Sequence, residues 1–201
     1  GFRVSDPVLD KPVDCLTDDL IRARFARGPL EPHGFMYYPV SIDPNPDMRE
    51  ACIKGMLDTC NMMLRIPLPI FGIRGIRYLA KRIIKFDKTQ GFDEACRQLG
   101  MIVRMQEEVG TGGAGFRYMY AAFLQEVAQL YGSAELDELS RDMTAIGDTW
   151  REFAVTAARI IKKRGGKEEN FAKAGGLMLI CAGREEELFN NLRDVASKLK
   201  S

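Results

Sequence analysis

The sequence predicts a mainly α-helical domain, a single bundle preceded by a short N-terminal strand or extended segment. Three observations carry that prediction. Apolar residues recur three and four apart through most of the chain from residue 17 onward. Glycine and proline mostly stand between those runs rather than within them. Strand-like alternation is confined to Phe2-Arg3-Val4-Ser5 and one proline-broken stretch.

The elements follow in order. Residues 1–16 read as an extended lead-in, the end of an upstream domain, and residues 17–201 as the helical domain. Thr17 is placed as an N-cap with Asp18 and Asp19 in the first turn, and Gly28-Pro29 stops that helix. Five prolines, at 29, 32, 39, 44 and 46, make a long connection in which Phe35–Tyr38 and Val40–Ile42 suit an edge strand interrupted by Pro39. Helix resumes with Pro46 in the first helical position and an apolar stripe of Met48, Ala51, Cys52, Met56, Cys60 and Met63. Two prolines in Ile66-Pro67-Leu68-Pro69-Ile70-Phe71 predict an extended link.

From about Ile73 to Lys85 an amphipathic helix turns Ile76, Leu79, Ala80, Ile83 and Ile84 inward, leaving Arg74, Arg77, Lys81, Arg82 and Lys85 outward. Gly91-Phe92-Asp93-Glu94 opens the next helix, which ends at a glycine-rich loop, Gly110-Thr111-Gly112-Gly113-Ala114-Gly115. The helix beyond it carries Phe116, Tyr120, Phe123, Leu124, Val127, Ala128 and Tyr131 and stops at Gly132. Ser133 caps the longest helix, whose Leu136, Leu139, Met143, Ile146, Trp150, Phe153, Ala157 and Ile160 form a seam of period 3.5. Such a seam needs a neighbouring helix, inside the domain or across a homodimer. Gly165-Gly166 ends it, Gly175-Gly176 is expected to start a buried turn, and a last helix begins with Glu185-Glu186-Glu187 at its positive end.

Composition excludes several function classes. With 29 basic and 28 acidic residues the net charge is +1, so no global field draws the chain to nucleic acid. No apolar run reaches the roughly 20 residues that span a bilayer. Five scattered cysteines without a CxxC pair, and a single histidine, point to a reduced, cytoplasmic setting and to no metal site. Four of the cysteines lie on apolar stripes, and a dyad of Cys15 with His33 is the sole nucleophilic pairing on offer.

The glycine loop satisfies GxGxxG literally, yet helix rather than a parallel strand surrounds it, and no Gly-Lys-Ser/Thr follows. What remains is a generic anion site. Free N–H groups at a helix start, the Thr111 hydroxyl, the flexible frame of Gly112, Gly113 and Gly115, and Arg117 one turn in suit a phosphate or carboxylate. The alternative is that the glycines let two helices cross while Arg117 pairs with Glu107 or Glu108. Likewise, Arg74, Arg77, Lys81 and Lys85 form either a solvated face or a dock for an acidic partner.

Two stretches carry a family resemblance. Val4-Ser5-Asp6-Pro7 with Leu20-Ile21-Arg22-Ala23-Arg24 resembles the middle of the butirosin-biosynthesis protein H-like family, and residues 110–124 resemble the most distinctive run of that family's C-terminal helical domain. The resemblance spans essentially the whole chain but only the C-terminal part of the family's two-part protein. In the family's named member an acyl group passes from an acyl carrier protein to an aminoglycoside amine. The resemblance implies a substrate-side helical module of an acyltransferase, with an upstream papain-like domain holding the nucleophilic cysteine and the histidine base. No catalytic residue carries over to this sequence. It also implies an acyl carrier protein docking on the basic stripe, and a phosphopantetheine-borne acyl group whose phosphate reaches the glycine loop. A non-enzymatic interaction or dimerisation module, and a small-molecule sensor, are the competing classes.

Overall fold

The computed structural model describes every residue except Pro7, Val8, Pro29, Leu30, Gly110, Thr111, Lys167 and Ser201. The protein is mainly α, with eight α-helices and one two-stranded sheet among the described residues. It divides into two compact units, Gly1–Pro46 and Asp47–Ser201.

In the first unit, β1 (Phe2–Val4) pairs antiparallel with β2 (Val13–Cys15), matching Phe2 to Cys15 and Val4 to Val13. Helix α1 spans Thr17–Arg24, starting one position earlier than the sequence suggested. Leu16 is its N-cap, with no side-chain cap bond, and Thr17 is its first helical residue. The expected stop at Pro29 lies outside the described residues. The expected edge strand is not formed. Phe35, Tyr37 and Val40 are almost fully exposed in irregular backbone, because Pro39 removes a donor and no partner strand supplies a ladder.

The second unit holds the core. Helix α2 (Met48–Leu64) starts from Asp47, whose carboxylate accepts from the Arg49 and Glu50 amides; Pro46 therefore precedes the cap instead of opening the helix. Its buried stripe is Ile53, Met56 and Cys60, while Met48 and Ala51 face solvent. The two-proline link is bent rather than extended, since the Phe71 amide closes a turn onto the Leu68 carbonyl with Pro69 inside it. Then come α3 (Gly72–Ile83), the short α4 (Phe86–Gln90) and α5 (Phe92–Glu107). Helix α6 (Arg117–Tyr131) ends on Gly132 in the left-handed conformation, and Ser133 accepts the Leu136 amide to start α7 (Ala134–Ile161).

Helices α7 and α8 (Phe171–Lys200) are the long axes. At 28 residues α7 runs about 42 Å. Helix α7 packs against α5, α6 and α8, and α8 packs against α2, α3 and α7. All eight seam residues from Leu136 to Ile160 are buried, so this seam is used within the unit and not across a dimer.

Helix α8 corrects the expected turn at Gly175-Gly176, because both glycines lie inside one continuous helix. The reason is a close approach. A Cβ on Gly175 would stand 2.5 Å from Ile84 Cγ1 and 2.7 Å from the Ala80 carbonyl oxygen, so this glycine lets α3 seat directly on α8. The same continuity places Glu185-Glu186-Glu187 in mid-helix, away from any positive helix end. No described helix is long and apolar enough to cross a membrane.

The glycine pair supplies a test. Gly175→Ala is expected to destabilise by about 1–3 kcal/mol, since backbone oxygen cannot move aside. Gly176→Ala, with open space around it, should stabilise by about 0.5–1 kcal/mol through helix propensity. Denaturant unfolding of both variants checks the pair.

Candidate functional site

The glycine loop between α5 and α6 packs over a buried ion pair. Its described residues Gly112, Gly113, Ala114, Gly115 and Phe116 all have positive φ, from 50° to 89°. Residues 114–116 form a single 3-10 turn. Left-handed backbone is cheap for glycine but costs about 1–2 kcal/mol for an L-residue, so Ala114 and Phe116 are held there by their surroundings. Gly110 and Thr111, the latter an expected anion ligand, lie outside the described residues.

Those surroundings are a polar network. Glu107 Oε1 accepts the Ala114 amide at 3.2 Å and the Gln106 side-chain amide at 2.8 Å, and its Oε2 accepts from Arg151 at 2.6 Å. Gln106 also donates to the Trp150 carbonyl at 3.1 Å. Arg117, the first residue of α6, donates through Nη1 to the Gly115 carbonyl at 2.8 Å. Its Nε and Nη2 grip Glu185 Oε1 and Oε2 at 2.9 and 3.0 Å. The Trp150 indole donates to Glu185 Oε1 at 2.6 Å, and the guanidinium lies 4.7 Å from the Trp150 ring centroid.

Glu185 is fully buried and the Arg117 side chain is 20% exposed. A carboxylate removed from water in this way is tolerable only because a two-pronged cation and an indole donor answer it. Neither Glu107 nor Glu108 partners Arg117. Glu107 holds Arg151 and the loop, and Glu108 meets Arg104 at 3.5 Å. Of the expected anion ligands, Gly113 and Gly115 face cations already in place. A Cβ on them would meet Arg151 Nη1 at 2.9 Å and Arg117 Nη1 at 2.6 Å. Gly112 is exposed, and the Arg117 guanidinium is engaged with Glu185.

The basic stripe divides. Arg77 is drawn onto α8, where Glu186 takes it in two bonds of 3.0 and 2.6 Å. That hydrogen bonding pushes the Arg77 guanidinium up and holds the Glu186 carboxyl below its usual range. Arg74, Lys81 and Lys85 remain on the solvent side.

Hollows open beside this network. An apolar groove of about 600 Å³ is lined on its outer rim by Ile70, Tyr78, Met101 and Met105, with Gln106, Arg117 and Trp150 at its inner wall. A smaller pocket of about 180 Å³ also touches Gly115 and Arg117 and includes Thr59, Tyr120 and Glu185. A further hollow of about 690 Å³ runs along α2 beside Tyr131 and is polar-edged.

Cysteine chemistry has little support in this arrangement. Burial pushes the Cys60 thiol up to about 11 and the Cys181 thiol to about 12, the latter helped by Glu185, so neither offers a thiolate near neutrality. Cys15 lies against the Leu16 carbonyl and His33 against the Phe35 ring. Among the described residues no cluster of acidic, cysteine and histidine side chains suits a metal ion.

Sequence reasoning missed Glu185 and its pairing with Arg117 and Trp150. The signal was present, because Glu185 stands four after Cys181 and three before Leu188 on the apolar stripe of α8. An acid on a core stripe calls for a buried cation; which cation answers it is set by packing.

Fold and site thus define a helical domain, with a groove framed by a strained loop and a buried ion pair. The chain belongs to the family described as Domain of unknown function (DUF4872), whose model matches residues 18–192. No curated protein and no solved structure matches the chain.

The ion pair generates its own prediction. Arg117→Met and Glu185→Leu should each cost about 3–5 kcal/mol by stranding a buried charge, whereas the two changes together should cost much less than their sum. Urea unfolding in a double-mutant cycle checks this; additive losses would show the pair is not coupled.

Proposed function

We propose that the helical unit is the substrate-side binding domain of an acyltransferase-like protein of the kind the sequence resembles, contributing surface rather than the nucleophile. The observation that carries this reading is the apolar groove. Its volume of about 600 Å³ and its rim of methionine, isoleucine and tyrosine suit a flexible acyl chain, since methionine adapts to irregular shapes. Helix α3 supports the reading twice. Its Ile76, Tyr78 and Leu79 line the groove, Arg74 and Lys81 are exposed on the same helix, and Lys85 is exposed just past its end. An acidic carrier protein drawn to those cations would deliver a phosphopantetheine arm beside the groove entrance. A cytoplasmic setting belongs to the same proposal and agrees with five free thiols.

Arg77 leaves the docking set, because it is a packing residue held by Glu186. The glycine loop serves chiefly to shape the groove's inner wall through Gly115 and Arg117.

A second reading rests on the exposure of the rim. Ile70, Tyr78, Met101 and Met105 are each about half exposed, and an amphipathic helix of a protein partner buries such a surface equally well.

The test uses an octanoyl thioester of N-acetylcysteamine and an acyl carrier protein. The thioester should bind saturably, and Met105→Glu, which puts a charge on the rim, should weaken it about tenfold or more. Reversing Arg74, Lys81 and Lys85 to Glu should weaken carrier binding, and wild-type carrier binding should fall with added salt. No saturable binding of either probe would remove the acyltransferase reading and favour the interaction module.

A further inference from the structure

A second hollow adjoins the apolar groove and has the opposite character. About 260 Å³ in volume, it is lined by Tyr78, Lys81 and Arg82 of α3, by Lys85 just past that helix, and by Phe86 and Thr89 of α4. Tyr78 also lines the groove, so the two spaces meet at one side chain. Lys81 and Arg82 follow Tyr78 by one turn and share its face of the helix. The Arg82 guanidinium carbon lies 5.9 Å from the Tyr78 ring centroid, which keeps that cation at the junction.

These cations are in surplus. No acid pairs with Lys81, Arg82 or Lys85 among the described residues, whereas Arg77 of the same helix is spent on Glu186. Asp87, the one acid of α4, does not line the hollow. The negative end of α3 offsets about half a charge, so a surplus of about two or more remains. Thr89 gives its hydroxyl proton to the Lys85 carbonyl at 3.0 Å and adds no further donor. A guanidinium beside two ammoniums suits the several oxygens of a phosphate group. From Gly75 in the groove wall to Arg82 in the hollow, α3 rises about 10 Å, a span that one extended chain bridges.

We propose that groove and hollow together bind a soluble, single-chain amphiphile with a phosphate ester head. Lys81, Arg82 and Lys85 take the phosphate, and the chain passes Tyr78 into the groove. The proposal rests on the groove accepting an apolar chain, the premise of the acyl reading, and adds that the ligand carries an anion at one end. It moves the phosphate away from the glycine loop, where Arg117 is already engaged with Glu185.

Calorimetric titration of the full chain with decyl phosphate below its micelle concentration, 1-decanol and decyltrimethylammonium tests the assignment. Decyl phosphate should bind saturably and about tenfold tighter than decanol, an advantage that shrinks with added salt, and the ammonium should bind most weakly. Lys81→Gln with Arg82→Gln, both at exposed positions, should remove the advantage and leave decanol affinity unchanged. Lys88→Gln, which removes an exposed cation outside the hollow, should preserve it. Equal binding of decyl phosphate and decanol, an equal loss in Lys88→Gln, or binding to phosphatidate-containing phosphatidylcholine vesicles without binding of monomeric decyl phosphate would each overturn the proposal. The octanoyl thioester separates the two readings. Thioester and decanol binding with no gain from the phosphate overturns the head-group site alone, whereas saturable decyl phosphate binding without thioester binding retains that site and removes the acyl-thioester reading.

Discussion

The Arg117–Glu185 pair is the constraint on which the rest of the helical unit turns. Glu185 comes from the middle of α8, Trp150 from the middle of α7 and Arg117 from the first position of α6, so one carboxylate ties three helices at a single point. A buried ion pair adds little net stability compared with an apolar replacement, yet losing one partner is severe. Its value lies in fixing geometry: helix register at α7–α8, and the start of α6 relative to both. The left-handed turn before Arg117 follows, because the guanidinium must fold back to the Gly115 carbonyl while reaching Glu185, and a regular helical approach does not deliver it there.

This geometry also explains why hollows gather at the same place. The chain enters α6 through glycines and short side chains, which leave space that bulkier residues would fill. Arg117 forms wall to the groove on α3 and α5 and also to the pocket on α2 and α6. Polar atoms at the centre and methionines around the rim give each hollow an apolar body with a few fixed polar points. That combination is what small-ligand sites share.

Much of the architecture was legible in the sequence. The seam of α7 could be read residue by residue, because its apolar period of 3.5 is sustained over a helix of 28 residues, whereas the burial of Ser140, Gly147, Ala154 and Thr156 beside it could not. The caps at Ser133 and Gly132 were legible for the same local reason. The failures share a cause, which is tertiary packing overriding local preference. Gly175 and Gly176 look like a turn until α3 is seen to need the missing Cβ. Glu185-Glu186-Glu187 looks like a helix start until Glu185 is found beneath Arg117 and Glu186 beside Arg77. The stretch around Pro39 has strand-like residues but no partner strand. Arg117 was singled out as an anion ligand or a partner of Glu107 or Glu108, but the carboxylate it grips lies 68 residues away, beyond any local pattern.

The most direct measurement uses the sole tryptophan. Trp150 both donates to Glu185 and lines the groove, so its indole N–H resonance in a proton–nitrogen spectrum reports on the ion pair and on groove occupancy together. The expected result is a strongly downfield indole proton in the free protein, which shifts saturably as octanoyl thioester is added. An indole proton at its solvent-exposed position would contradict the buried pair, and a resonance unmoved at saturating thioester would contradict acyl binding in the groove.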